Sequence, residues 1–232
     1  MEQTSATPLT VTSGVLSSFS GFMSQVYGWM TAGLLITAIV AYLVTHFEAF
    51  IWVYNPTIFL LILILELGIV IGISAFAHKL NPLIAGGLFL LYALINGVFF
   101  GAVVFAYTEA SVFLAFAATA GTFMLMSAYG LLTKADLTSW GNLAFMGLAG
   151  LLFGLLLNIF FASDTFSWIL TFVGIAIFIV LIAYDTQKLK QYAQIAESQG
   201  AGASYAIRGA LALYLDFVNL FIRLLSIFGR RK

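Results

Sequence analysis

The chain contains no cysteine, three prolines and few charges, with 9 basic and 9 acidic side chains among 232 residues. Each shortage excludes something. Without thiols there is no disulfide framework, no iron–sulfur cluster and no cysteine nucleophile. A soluble domain needs a charged exterior, and a charged fraction of 8% does not supply one. A net charge of zero leaves no basic footprint for nucleic acid. The two histidines, His46 and His78, fall at opposite ends of neighbouring hairpins, which argues against a zinc site. Neither a Walker A pattern nor G-x-S-x-G occurs. Residues 1–25 carry no Lys or Arg and no apolar core before a cleavage site, so they do not read as a signal peptide.

What the sequence has in quantity is hydrophobic length. Apolar residues make up 62% of it. A membrane span needs about 20 of them in succession. Seven segments qualify: 26–46, 57–77, 83–106, 111–132, 142–161, 166–186 and 207–228. The fold class expected is therefore an all-α integral membrane protein with seven transmembrane helices in a lipid bilayer. The breaks are short and polar, as at Asn55-Pro56, Asn81-Pro82, Thr108-Glu109, Lys134-Ala135-Asp136 and Ser163-Asp164. Segment six is expected to continue beyond the membrane surface and to turn near Gly200–Gly202. The domain reading is a polar N-terminal segment at 1–21, a transmembrane domain at 22–229 and a basic tail at 230–232. Gly68/Gly72, Gly97/Gly101 and Gly150/Gly154 have the spacing at which helix backbones approach closely.

Basic residues set the orientation. Lys79, Lys134, Lys188, Lys190 and Arg208 lie in alternate loops, and the intervening loops carry only Glu48, Glu109 and Asp164. By the positive-inside rule the N-terminus is cytoplasmic. Arg230, Arg231 and Lys232 break the pattern if segment seven crosses, and satisfy it if that segment is re-entrant. Its length favours a crossing.

The polar residues inside the spans are the candidate site. A charge at the bilayer centre costs about 2.5–3.5 kcal/mol even on lenient scales, so such residues mark function or a partner. Glu66 is mid-span in segment two, Asp185 near the cytoplasmic end of segment six, and Asp216 within segment seven. Asp185 precedes Gly200 by 15 residues and Asp216 follows it by 16. A helical hairpin turning there puts both at one height, about 22 Å from the turn at 1.5 Å per residue. Two close carboxylates do not ionise independently, and the pair exchanges protons as a unit. When ionised, its oxygens suit a hard cation such as Ca²⁺. The competing reading gives each aspartate its own partner. Lys188 is one turn from Asp185, and Arg223 shares a helical face with Asp216 and Asn219. Arg223, close to the helix end, is expected to snorkel to the outer interface.

Four stretches carry a family resemblance: "VYGWMTAGLL" at 26–35, "YGLLTKADLTSWGNLAFMGLAGLL" at 129–152, "AYDTQKLK" at 183–190 and "LALYLDFVNLFIRLL" at 211–225. Together they resemble the bacterial branch of the Bax inhibitor-1 (transmembrane Bax inhibitor motif) family. The resemblance implies a central seventh helix surrounded by two three-helix groups. It also implies a pH-sensitive calcium leak in the bacterial inner membrane, with Asp185 and Asp216 as the di-aspartyl sensor and no cofactor. Some members are thought to latch this pair with an arginine on the second helix. Segment two has no Arg or Lys, only Glu66.

Two other functions remain as expectations. Bacterial relatives are associated with restraining a membrane-bound AAA+ quality-control protease, for which a charge-poor N-terminal tail would be suited. An intramembrane aspartyl protease would also carry aspartates on neighbouring helices. Its second aspartate sits in Gly-x-Gly-Asp, whereas this chain has Tyr214-Leu215-Asp216, so an enzyme is not expected.

Overall fold

The computed structural model describes residues 8–47 and 81–230, with isolated positions between 55 and 69. Most of segment two, with Glu66 and Gly72, lies outside the described residues, as do Glu48, His78, Lys79, Arg231 and Lys232. Among the described residues the structure is helical, with six helices: α1 (Pro8–His46), α2 (Pro82–Val104), α3 (Glu109–Leu132), α4 (Thr138–Phe161), α5 (Asp164–Gln199) and α6 (Gly202–Phe228). All six are long and apolar enough to cross a membrane. They correspond to segment one and segments three to seven. Helix α1 begins within the stretch expected to be a polar lead-in.

Local chemistry sets the ends. Asn81 Oδ1 accepts from the Leu83 N–H at 2.9 Å, with Pro82 at the first helical position of α2. Ser163 Oγ accepts from the Phe166 N–H at the start of α5. Helix α5 is 36 residues long, or about 54 Å, so it extends well past a hydrocarbon core of about 30 Å. It stops at Gly200, whose φ of 62° is the left-handed conformation that glycine adopts at no steric cost. The turn therefore falls where the sequence placed it.

Packing partners give the directions. On α2, Gly86 meets Trp29 of α1, Gly97 meets Thr37 and Val40, and Gly101 meets Val44. The numbers rise together, so α1 and α2 run parallel. Gly97 and Gly101 are one of the small-residue pairs read from the sequence. On α4, Gly141 meets Tyr184, Gly147 meets Ile177 and Gly154 meets Leu170, so α4 and α5 run antiparallel. Gly150 has open space beside it.

Helix α6 is the hub. It packs on α1, α2, α3 and α5, while α5 also packs on α3 and α4. The two sides of the bundle are thus α1 with α2, and α3 with α4 and α5. Val26, Leu189 and Gly209 meet at one end. At the other end the Arg230 N–H donates to Ser111 Oγ at 2.9 Å and the Thr108 N–H donates to the Arg230 carbonyl at 3.0 Å. Helix α6 therefore traverses the whole bundle and is not re-entrant. Lys134, Lys188, Lys190 and Arg208 belong to the Val26 end, and Arg230 belongs to the opposite one. Large apolar side chains such as Phe113, Leu125, Ile159, Phe160 and Phe172 stand exposed around the perimeter. In water this would be an aggregation surface, whereas in a bilayer it is the lipid-facing surface.

Candidate functional site

Five successive residues of α5, Ala183 to Gln187, set the site. Each step around a helix turns about 100°, so neighbours face different elements. Ala183 lies against Gly130 of α3 so closely that a β-carbon at Gly130 would strike the Ala183 carbonyl. Tyr184 covers Gly141 of α4, with Phe145 edge-on to its ring at 6.1 Å. Thr186 Oγ1 donates to Ser127 Oγ of α3 at 3.2 Å in buried surroundings. Gln187 grips the α3–α4 loop twice: its Oε1 accepts from the Leu137 N–H at 2.9 Å, and its Nε2 donates to the Ala135 carbonyl at 2.8 Å. With those directions committed, Asp185 faces α6.

Asp216 waits there, 4% exposed at the centre of the hub helix. Two residues earlier, Tyr214 fixes the rotation of α6. Its hydroxyl pairs with Thr37 Oγ1 of α1 at 2.6 Å, and Thr37 Oγ1 donates to the Ala93 carbonyl of α2 at 2.9 Å. The Tyr214 ring meets Phe89 and Tyr92 edge-on at 5.6 and 5.8 Å. Opposite them, Asp185 and Asp216 face one shared cavity and act on each other electrostatically. Asp216 Oδ2 is fully buried and has no hydrogen-bond partner among the described residues. Since an ionised carboxylate only accepts, a bond between the two requires a proton on one of them.

Both carboxyls line a cavity of about 550 Å³ between α2, α4, α5 and α6, which Lys188, Arg208, Asn96 and Asn219 also border. Lys188 acts electrostatically on Asp185 and lies over the rings of Tyr184 and Tyr192 at 5.2 and 5.8 Å. Arg208 lies over Tyr192 at 5.3 Å. Asn219 Nδ2 donates to the Leu215 carbonyl of its own helix at 2.8 Å, so it does not serve Asp216. Asn96 Nδ2 donates to the Tyr92 hydroxyl at 2.9 Å.

Arg223, expected to snorkel, lays its stem along α5. It packs on Gly174, with Nε 3.0 Å from where a β-carbon there would sit. The cause is glycine's missing side chain, which opens a groove on α5 for the guanidinium stem. Asp216 thus keeps Asp185 rather than Arg223 as its polar neighbour. Glu66, the remaining sequence candidate, lies outside the described residues.

Among the described residues no group of three or more His, Cys, Asp or Glu could hold a metal. Ca²⁺ takes six to eight oxygens. Two carboxyls offer at most four.

Sequence reasoning missed Gln187. The signal available was its place two residues after the aspartate, where a polar amide on a long helix needs partners. Gln187→Ala removes both loop bonds and should lower stability by about 1–2 kcal/mol, read as a drop in the detergent unfolding midpoint. Faster amide exchange at Leu137 would localise the loss.

The same loop holds an exposed acid. Asp136 Oδ1 accepts from the Thr138 hydroxyl and N–H at 2.6 and 2.9 Å, and those bonds hold its pKa below the ordinary carboxylate value. Its contribution is present above the ordinary carboxylate range and is lost as pH falls through the lowered value. A pH response near neutrality does not arise from this loop.

A paired-aspartate site on the last hairpin of a helical membrane bundle can be compared with known families. The family described as "Inhibitor of apoptosis-promoting Bax1" matches residues 19–232. The chain belongs to the Bax inhibitor-1 family. Relatives of it include the inner membrane protein YbhL of Escherichia coli K12, 41% identical over 215 residues, covering 91% of this chain and 92% of that one. An uncharacterised protein of Deinococcus radiodurans is 40% identical over 210 residues, 90% of each chain. An uncharacterised membrane protein of Streptococcus pyogenes serotype M3 is 37% identical over 213 residues, 90% of this chain and 92% of that one. For this Bax inhibitor-1 member, the family match and the six apolar helices together establish a membrane protein of the bilayer interior.

Proposed function

We propose that this Bax inhibitor-1 protein is a proton-controlled cation leak of the bacterial inner membrane, with Asp185 and Asp216 as its sensor and Ca²⁺ as its cargo. One observation carries the reading: two aspartates on one cavity, one of them with a buried oxygen that has no hydrogen-bond partner among the described residues. Such an oxygen is costly unless a proton or a cation visits it. With a proton the pair is compact and closer to neutral; without it the pair is a doubly negative site for a cation. The proposed topology has seven crossings. The parallel run of α1 and α2 supports a further crossing between them, and the basic residues at the Val26 end support a cytoplasmic N-terminus.

Lys188 is the basic group that acts on Asp185. A cation beside a carboxylate favours its charged form. Removing it favours the proton, so Lys188→Gln should move the midpoint of pH-dependent flux to higher pH, by up to about one unit. The test is Ca²⁺ efflux from proteoliposomes across the acid-to-neutral range, with the native protein and this variant. A native protein that passes no cation, or passes it equally at every pH, would overturn the reading.

A further inference from the structure

We propose that Phe100 and Val218 form the barrier to permeation, separating the acid-pair cavity from a second vestibule at the opposite end of the bundle. The proposal rests on the leak reading above and adds where the path is closed.

The second vestibule is a cavity of about 720 Å³ between α1, α2, α3 and α6. Thr45 and His46 at the end of α1 and Glu109 at the start of α3 border it, which places its mouth at the Arg230 end of the bundle. The acid-pair cavity reaches Tyr192 and Arg208, near the α5–α6 turn at the other end. Phe100 and Val218 line both cavities. They are 4% and 5% exposed, so both are packed tightly among other side chains. Among the described residues, Phe100 and Val218 are the two that both cavities share.

Its chemistry is that of a closed door for ions. Phe100 is backed by Phe221, with ring centroids 5.7 Å apart. Gly97 and Gly101 flank Phe100 in sequence and seat α2 directly on α1, so the backbone carrying Phe100 is held from behind. Neither Phe100 nor Val218 has a polar side-chain atom to replace the water an ion must shed. An apolar constriction of this kind closes a path by dewetting, with no plug required. Asp216, two residues before Val218, stands on the α5 side of the partition. A charge appearing there would draw water to the foot of the barrier.

The absence of cysteine makes a direct test possible, because one introduced thiol is the only one in the chain. Ala212→Cys reports on the acid-pair cavity and Ala41→Cys on the second vestibule; both positions line the respective walls. A charged, membrane-impermeant thiol reagent is applied from either side of oriented vesicles. With Phe100 and Val218 intact, the thiol at position 212 should react from the α5–α6 turn side only, and the thiol at position 41 from the opposite side only. Adding Phe100→Ala, or the milder Val218→Ala should the first fail to fold, should raise the far-side rate at position 212 by about tenfold or more and raise cation flux in parallel. Equal labelling of position 212 from both sides in the otherwise native background overturns the barrier. Far-side labelling that stays unchanged in a folded Phe100→Ala or Val218→Ala variant overturns it as well. Labelling that changes while no protein passes cations keeps the barrier and overturns the leak. Native flux with labelling indifferent to both substitutions does the reverse.

Discussion

Replacing both Asp185 and Asp216 with asparagine is expected to abolish the pH dependence of cation flux altogether. Asparagine keeps the shape and hydrogen-bonding of the side chain and removes its proton chemistry. A single replacement leaves one carboxyl that titrates alone, so the response should persist with a displaced midpoint; only the double variant should be flat. The geometry also predicts what should not change. Among the described residues Asp216 Oδ2 has no donor to lose, and Asp185 is oriented by its neighbours Ala183, Tyr184, Thr186 and Gln187 rather than by its own bonds. Thermal stability of the double variant in detergent should therefore stay within about 1 kcal/mol of the native protein. An unaltered pH profile in a folded double variant would remove the pair from the mechanism.

Gly130→Val should have the largest structural effect. The first atom added beyond the glycine backbone meets the Ala183 carbonyl, and a backbone group inside a helix cannot rotate away as a side chain can. The branched side chain adds two further methyl groups at the same contact. Overpacking in a tight interior costs about 1–3 kcal/mol and occasionally more, and this site belongs at or above the upper end. Helices α3 and α5 must separate, and the turn bearing Asp185 moves with them. The expected readouts are a sharp fall in the unfolding midpoint and in the yield of monodisperse protein. Gly150→Val is the natural control, since open space lies beside Gly150 and little should change. Equal stability of the two variants would show that the α3–α5 contact does not hold the site.

The comparison of these glycines shows what a linear sequence can and cannot reveal. Depth along a helix is a matter of counting at 1.5 Å per residue. The turn at Gly200 was therefore legible, as were segments three, four and five as helices, whereas the start of α1 at Pro8 was not. Rotation about the helix axis depends on which neighbour allows closest approach, and that is not a count. Gly130 and Gly141 orient the aspartate turn without belonging to any small-residue pair, whereas a β-carbon at Gly150, which does belong to one, would meet no described atom within 4 Å. Arg223 illustrates the same point from the other side. Its position near a helix end suggested an outward path, but not that its stem would lie on Gly174. The Thr37–Tyr214 bond spans 177 residues and was invisible for the same reason. A hydroxyl on a transmembrane helix does not announce which of several neighbours it will meet.

The Arg230 backbone is stitched to Thr108 and Ser111 at the far rim, while Val26 of α1 meets α6 beside the α5–α6 turn. A fluorescent or enzymatic reporter grafted ahead of Pro8 would thus emerge in one compartment, and the same reporter joined beyond Arg230 in the other. Any cargo hung on the trailing end would also tug on the α2–α3 connection, so fusions there should be made through a long flexible linker.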